Sequence, residues 1–205
     1  MIFRTTKRRR IERRPLLSRE RVEECIAVEG SVCSVSGSPR HGFSKPVRES
    51  ISLIKGYGVE GDAHAGAFVR HRYLARWRPR MTNERQVHLI DQATFDELRG
   101  QGFNVQPGQL GENITTVGVE LLTLPLGTEL RLGPNAVLEL RGLRTPCVLI
   151  DRFQKGLLKA LVRKGEQPRF RAGVMGVVRE GGVVSRGDLI RAVPPMGPLQ
   201  PLPPL

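Results

Sequence analysis

The chain has few cysteines and no long apolar run, and these shortages exclude several classes of protein. Its cysteines are Cys25, Cys33 and Cys147. No two of them have a CxxC or zinc-ribbon spacing, so neither a disulfide framework nor a structural zinc site is expected. No segment approaches the roughly 18 apolar residues of a membrane-spanning helix. We therefore expect a cytoplasmic protein with no membrane partner, in which a cysteine can remain a free nucleophile or metal ligand.

Aromatic residues are scarce as well. They make up 5% of the 205 residues, and apolar residues make up 39%. This content suffices for one sizeable core and not for two, so one folded domain is expected. The sequence contains no flavin, nicotinamide or iron–sulfur motif. Any redox activity would therefore need electrons from another protein.

Positive charge is abundant and unevenly placed. The formal net charge is +13, and residues 1–21 contain nine basic and two acidic residues. Such a run is typical of a solvated, disordered arm, which we assign to residues 1–24. A basic arm can hold phosphates without sequence specificity, so weak nucleic-acid contact through residues 1–21 stays open. Nucleic acid is not expected as a partner of the domain itself.

Short alternating segments separated by glycine-rich turns predict a mainly β domain over residues 25–193. Regular short strands favour a barrel or a sandwich, with a few short α-helices. Asp91 is expected to cap a helix over 91–98, and the pattern of 151–164 predicts an amphipathic helix against the sheet. The six prolines of residues 194–205 predict an extended, passive tail without a strand ladder. The predicted strands lie at 25–35, 45–54, 85–90, 113–117, 128–132, 136–140, 174–178 and 183–193.

Cys147 is the first candidate for chemistry. It follows a predicted strand, with Arg144 three residues before it and Pro146 directly before it. A nearby guanidinium favours the thiolate, the form of cysteine that attacks sulfur or binds a metal. A buried structural cysteine fits the pattern equally well, because free cysteine is among the most buried residue types.

Two histidines and an aspartate form a second set of candidates. Asp62 and His64 lie in a glycine-rich loop, where polar residues often carry function. The Asp62 carboxylate could orient or titrate with the His64 imidazole, or it could accept backbone N–H bonds inside a tight turn. His88 alternates with apolar residues in a predicted strand, which is typical of a hydrogen-bonded core histidine.

Two further segments combine backbone freedom with polar side chains. Residues 108–113 place Glu112 and Asn113 directly after Gly108 and Gly111, an arrangement that suits either a ligand loop or a simple turn. Arg171 and its neighbour Arg169 supply paired cations suited to a phosphate. A solvated basic edge explains the same pair.

Taken in order along the chain, these motifs resemble the MOSC domain, a family named for the C-terminal domain of molybdenum cofactor sulfurase. The resemblance covers roughly residues 25–193, on the usual scale of one domain. The chain resembles the small stand-alone bacterial members of the family most, since neither an N-terminal barrel extension nor a pyridoxal-phosphate domain is recognised. The motifs are GVEGDAH (58–64), RQVHLI (85–90), PGQLGENIT (107–115), TPC (145–147), GVMG (173–176) and GDLI (187–190).

The resemblance implies a β-barrel-like fold with an essential cysteine, which corresponds to Cys147. Family members use this cysteine as a persulfide sulfur carrier or as the ligand of molybdenum in a pterin cofactor. The amidoxime-reducing relatives use it in the second way and reduce N-hydroxylated bases by two electrons. A thiolate is both a soft metal donor and the nucleophile for sulfur transfer, so both roles are chemically sound.

The first function implied for this chain is binding of the molybdenum cofactor (molybdopterin) and reduction of N-hydroxylated compounds. Cys147 would ligate the metal, while Asp62 and His64 would line the substrate side and handle protons. The residues expected to hold the cofactor are Arg144, Thr145, Arg171, Gly108, Gly111, Glu112, Asn113 and His88.

The two roles imply different partners. Cofactor binding requires a separate electron-donating reductase, whereas sulfur transfer requires a cysteine desulfurase and an exposed Cys147. A homo-oligomer is compatible with either role. Contact with nucleic acid through residues 1–21 is a third alternative, and it predicts binding that weakens steeply with salt and is indifferent to Cys147→Ala.

Overall fold

The computed structural model describes residues 28–68 and 81–205. The predicted arm at residues 1–24 and the strand start at Cys25 lie outside these residues. The strands of the described part are β1 (Val28–Ser36), β2 (Val47–Arg48), β3 (Ser50–Ile54), β4 (Gly58–Val59), β5 (Val87–Asp91), β6 (Ile114–Val117), β7 (Glu129–Leu132), β8 (Ala136–Leu143), β9 (Val174–Glu180), β10 (Gly182–Ser185) and β11 (Leu189–Val193).

Seven of these strands close into a barrel. Their order is β1, β6, β5, β9, β8, β7 and β11, and β11 pairs back to β1. Closure leaves no free edge between these strands, apart from the short β2 that adds to the end of β1. Strands β10, β3 and β4 form a separate small sheet. The predicted mainly β, barrel-like fold is confirmed.

The connection between β5 and β6 brings a helix over one end of the barrel. These two strands are parallel, and parallel neighbours need a crossover between them. Helix α1 (Gln92–Gly100) lies in this crossover, and its cap is the predicted one: Asp91 Oδ1 accepts hydrogen bonds from the backbone N–H and hydroxyl of Thr94 at 2.8 and 3.1 Å.

The prediction of one continuous helix over 151–164 is wrong. The structure has two shorter helices instead, α2 (Val148–Phe153) and α3 (Leu157–Ala160). Gly156 separates them, because its φ of 87° is a left-handed conformation that no α-helix contains. The expected apolar face persists in part, since Leu157 and Leu161 are buried.

Two apolar clusters stabilise the molecule. Aliphatic side chains of all seven barrel strands fill the barrel interior. A second cluster lies under the helices and includes Phe95 and Leu98 of α1 with Ile150 of α2. The second cluster attaches α2, and with it the chain that follows Cys147, to the barrel. Among the described residues, no helix has the length and apolar character required to cross a bilayer.

The proline-rich tail packs against the barrel and is not passive. Leu202 is 6% exposed and belongs to the barrel core. Within the tail the structure has one isolated bridge, between Leu143 and Pro204, and no strand ladder. Single hydrogen bonds still form, because proline keeps its carbonyl acceptor and Leu205 keeps its N–H. Leu143 donates to the Pro203 carbonyl at 2.8 Å, and Leu205 donates to the Leu143 carbonyl at 2.9 Å.

Candidate active site

A cleft with a cavity volume of about 190 Å³ opens at one end of the barrel. Strands β5 and β9, the chain that follows β8 and three loops converge there. We call it the Cys147 cleft. The described residues that line it are Gly42, Phe43, Lys45, His64, Asn83, Arg85, His88, Leu110, Gly111, Asn113, Arg144, Thr145, Cys147, Leu149 and Met175.

Cys147 lies at the entrance of the cleft, between β8 and α2. It is the N-cap of α2 and has an extended backbone, with φ −121° and ψ 167°. The residue is exposed and forms no disulfide. Of the two alternatives left open by the sequence, a buried structural cysteine is therefore excluded. An exposed thiol on a cavity wall is accessible to a metal or to a sulfur donor.

Arg144 lies beside this thiol with part of its guanidinium unpaired. Its Nη1 atom is buried and has no hydrogen-bond partner within the described residues. Burial lowers the pKa of Arg144, and the neighbouring Cys147 and Glu112 act in the opposite direction. An unsatisfied buried donor is costly, so such a group on a cavity wall marks a place where a ligand acceptor is favoured.

Two further cations face the cleft. Burial lowers the pKa of the Arg85 guanidinium, and its side chain has no ion-pair partner among residues 28–68 and 81–205. Burial also lowers the pKa of Lys45, against the attraction of Asp62. The two lining arginines and Lys45 outnumber the acidic side chains, because no carboxylate is among the described lining residues. The cleft therefore suits an anionic ligand.

Asp62 lies behind this wall and organises it. Its carboxylate is 3.0 Å from Lys45 Nζ, and both side chains are almost fully buried. It also accepts hydrogen bonds from the backbone N–H groups of Ser38 and His64 at 3.2 and 2.9 Å, and from Asn113 Nδ2 at 3.2 Å. Burial raises the pKa of Asp62, but the bonds to His64 and the charge of Lys45 outweigh it and hold the pKa well below its usual range.

His64 is the member of this pair that reaches the cleft. Its side chain is 42% exposed, and its Nδ1 lies 3.4 Å from Asp62 Oδ1. The His41 ring packs edge-on against it at a centroid distance of 5.3 Å. Asp62 thus has the turn-building role that the sequence left open, and it also contacts the imidazole of His64. The proton-handling role expected of both residues stays a prediction.

His88 and Asn113 join the strands beneath the cleft. His88 Nε2 is 2.7 Å from the Ala172 carbonyl, so Nε2 carries the proton. Burial and the charge of Arg144 lower the pKa of His88 well below its usual range, which keeps the ring neutral. Asn113 accepts from the backbone N–H of His88 at 3.2 Å and donates to the Ser36 carbonyl at 3.2 Å.

The glycine-rich loop over 108–113 is shaped by close backbone approach. Gly108 and Gly111 have φ angles of 85° and 81°, and a Cβ on either would lie 2.3 to 2.5 Å from the carbonyls of Lys45 and Phe43. Only glycine fits both restrictions. Glu112 is fully buried: its Oε1 accepts from the Gly108 N–H, and its Oε2 has no partner in the described part of the chain.

Not every residue expected to hold a cofactor reaches the cleft. The structure brings together Cys147, His64, Arg144, Thr145, His88, Gly111 and Asn113. Gly108, Glu112 and Asp62 support the wall from behind. Arg171 does not line the cleft. Its guanidinium is 2.8 Å from Glu97 on α1, so a carboxylate already pairs with this cation, and its proposed cofactor contact stays a prediction.

The sequence interpretation did not identify Lys45, Arg85 and Asn83 as site residues. Asn83 Nδ2 donates to the carbonyls of His64 and Gly66 at 3.2 and 3.0 Å, and its Oδ1 accepts from the Arg85 N–H at 3.0 Å. A usable signal existed for Arg85, which begins the RQVHLI motif. Lys45 had none, because its position depends on contacts with residues 17 and 63 positions away.

The donors of the cleft fit a metal only in one particular way. Within the described residues, no group of three or more His, Cys, Asp or Glu side chains is arranged to hold a metal ion. Cys147 is a single soft donor. This arrangement fits a metal whose other ligands belong to a bound organic cofactor, and it fits equally a cysteine that carries sulfur.

A MOSC domain family model matches residues 62–191. The match covers more than half of the chain, together with most of the barrel and the Cys147 cleft, so this protein belongs to the MOSC domain family. No curated protein sequence gives a significant match.

Solved structures share the fold at low sequence identity. The YuaD protein of Bacillus subtilis is 20% identical with a TM-score of 0.67, over 83% of this chain and 98% of that one. YiiM of Geobacillus stearothermophilus is 18% identical with a TM-score of 0.59, over 80% and 75%. YiiM of Escherichia coli is 17% identical with a TM-score of 0.58, over 84% and 73%. These similarities establish the barrel fold.

Proposed function

We propose that the Cys147 cleft binds the molybdenum cofactor, with Cys147 as the protein ligand of the metal, and that the protein reduces N-hydroxylated compounds by two electrons. The observation that best supports this proposal is the exposed thiol of Cys147 beside the buried Nη1 of Arg144, which has no partner among the described residues. One group suits a soft metal, and the other suits an anion.

The charges of the cleft support an anionic, phosphate-bearing ligand. Arg144 and Arg85 present planar donors suited to phosphate oxygens, and Lys45 adds a point charge that Asp62 partly balances. The cavity volume of about 190 Å³ is below the roughly 300–1,000 Å³ of most ligand pockets. The cleft would therefore enclose the metal and phosphate end of the cofactor better than the whole molecule.

The proposed reaction breaks an N–O bond, consumes two electrons and two protons, and releases an N–H product and water. A bound molybdenum cofactor would supply the two-electron chemistry. His64 is the lining side chain suited to pass a proton, because it is partly exposed and its Nδ1 faces Asp62 at 3.4 Å. The electrons would come from a separate reductase, since the sequence contains no flavin, nicotinamide or iron–sulfur motif.

The test is the molybdenum content of protein purified from a host that makes the cofactor. Elemental mass spectrometry would compare the natural chain with Cys147→Ala and with the matched control Cys33→Ala. We expect near-stoichiometric metal in the natural chain and the control, and loss in Cys147→Ala. Absence of molybdenum from all three proteins would overturn the proposal.

A second candidate is persulfide transfer, which the exposure of Cys147 also favours. The Cys147 thiolate would attack the sulfane sulfur of a cysteine desulfurase persulfide; a new S–S bond forms on Cys147, and the desulfurase cysteine leaves as a thiolate. Incubation with a desulfurase and cysteine should then add one sulfur atom to the Cys147 peptide.

Contact of residues 1–21 with nucleic acid stays a prediction outside the described residues.

A further inference from the structure

The C-terminal residues run across the barrel toward the Cys147 cleft. The Leu126 N–H donates to the Gln200 carbonyl at 2.8 Å, and Leu143 and Pro204 form a parallel bridge. Leu202 anchors this run in the barrel core at 6% exposure, whereas Leu199, three residues earlier, is 62% exposed. We call residues 200–205 the C-terminal strap.

The barrel has a position that accommodates the strap. A Cβ on Gly142 would lie 2.5 Å from the Pro203 carbonyl oxygen and 2.6 Å from Leu205 Cγ. Any other residue at this position would push the strap away from β8. Docking of the strap therefore depends on two separate positions. Leu202 anchors it in the core, and Gly142 leaves the space that it occupies.

The last residues of the strap contact the segment that bears the cysteine. Both the backbone N–H and the hydroxyl of Thr145 donate to the Leu205 carbonyl, while the Arg144 N–H donates to the Gly173 carbonyl at 2.9 Å. Pro146 has no N–H with which to add a bond. The chain leading to Cys147 is thus held on one side by the approach to β9 and on the other by the strap.

We propose that the C-terminal strap is a positioning element that fixes the Arg144–Thr145 backbone and so sets the surroundings of the Cys147 thiol. Release of the strap frees Thr145, two residues from the sulfur, and alters the placement of Arg144 against it. The strap matters for activity through the proposed role of Cys147. Thiol reactivity tests it independently, because alkylation requires no cofactor.

The experiment compares Leu202→Ala with Leu202→Met, which retains an apolar anchor, and with Leu199→Ala, the exposed control. Hydrogen exchange reports docking: in Leu202→Ala, the Leu143 and Thr145 amides should exchange faster by about tenfold or more. Peptide mass spectrometry after iodoacetamide reports the thiol: the Cys147 rate should change by about threefold or more, because charges around a sulfur set its reactivity. Leu202→Met and Leu199→Ala should behave like the natural chain.

The alkylation rate of Cys33 distinguishes a specific effect of the strap on Cys147 from a general loosening of the barrel. It is half-buried, with its Sγ 3.6 Å from Gln92 Oε1, so a loosened barrel would expose it and speed its alkylation. An unchanged Cys147 rate with unprotected amides, or a rise at Cys33 alone, would overturn the proposal. If Leu202→Ala does not fold, Thr145→Val removes the hydroxyl bond at an exposed site and should change the Cys147 rate in a smaller way.

Discussion

The two walls of the Cys147 cleft both contain polar side chains, but they differ in whether those side chains have partners inside the protein. On one wall, which we call the scaffold wall, Lys45 and Asn113 are buried together with Asp62 behind them, and each finds partners inside the protein. On the other wall, which we call the cysteine wall, Cys147 is exposed and Arg144 retains a buried donor without a partner among the described residues. Polar groups that satisfy one another build the wall, and polar groups left unsatisfied at the cavity are those available to a ligand.

This difference predicts that substitutions in the scaffold wall lower the stability of the protein, whereas substitutions in the cysteine wall weaken the binding of the cofactor. The largest expected effect is that of Asp62→Asn. Its removal leaves the Lys45 ammonium buried without a countercharge, and breaking a buried ion pair costs about 3–5 kcal/mol. Urea denaturation measures this loss, and a cost below about 1 kcal/mol would contradict the assignment of Asp62 to the scaffold.

Asp96→Asn is the matched control for Asp62→Asn. Asp96 pairs with Arg99 at 2.9 Å, but both side chains are more than half exposed, so its loss should cost no more than about 0.5 kcal/mol. The acid dependence should differ too. Because the folded pKa of Asp62 is depressed, its stabilisation is present above the unfolded pKa of about 4 and lost as pH falls. The Asp62→Asn variant should lack this part of the acid loss.

The sequence revealed the fold and the cysteine wall better than the scaffold wall. Alternating strands, the Asp91 cap and the TPC motif around Cys147 are local patterns, and the structure places them as local patterns predict. Lys45 was missed because its role arises from contacts with distant loops, and Arg85 was missed although it begins the RQVHLI motif. Asp62 lies in a recognisable motif, but only its position relative to Lys45 shows that it supports the cleft from behind.

Arg171 and the tail illustrate the same limit. A cation before a strand indicates an anion site only if no carboxylate is near, and the approach of Glu97 on α1 depends on how the helix packs over the barrel. The prolines of the tail predicted an extended backbone and no strand ladder. They did not predict docking, because docking requires the vacant space over Gly142, more than fifty residues away in sequence.

The second prediction concerns the cysteine wall. Arg144→Met removes a guanidinium whose Nη1 has no partner in the described structure, so the ligand-free protein should lose no more than about 1 kcal/mol of stability. Loss of a charged hydrogen bond to an anion costs about 1.5–3 kcal/mol, so the affinity for the cofactor should fall at least about tenfold, and the molybdenum retained per chain should fall with it. The exposed control Arg152→Met should retain the metal. Equal losses in both variants would refute a specific role for Arg144.

The smallest effect is expected at Glu112, which is fully buried and supports the cleft from behind. Burial raises its pKa, although backbone hydrogen bonds from the 108–112 loop oppose the rise. A raised carboxyl pKa means that its stabilisation is complete below the unfolded pKa and is lost as pH rises through the folded one. The ionised carboxylate should therefore destabilise the ligand-free protein at neutral pH.

Glu112→Gln tests this, because glutamine resembles the protonated acid and can still accept the Gly108 N–H. We expect the variant to be more stable than the natural chain by about 1 kcal/mol at neutral pH, with the advantage disappearing in acid. Urea denaturation across the pH range measures the difference. A variant less stable at neutral pH would instead show that the Glu112 carboxylate is retained as the countercharge of Arg144, which would make Glu112 part of the electrostatics of the cysteine wall.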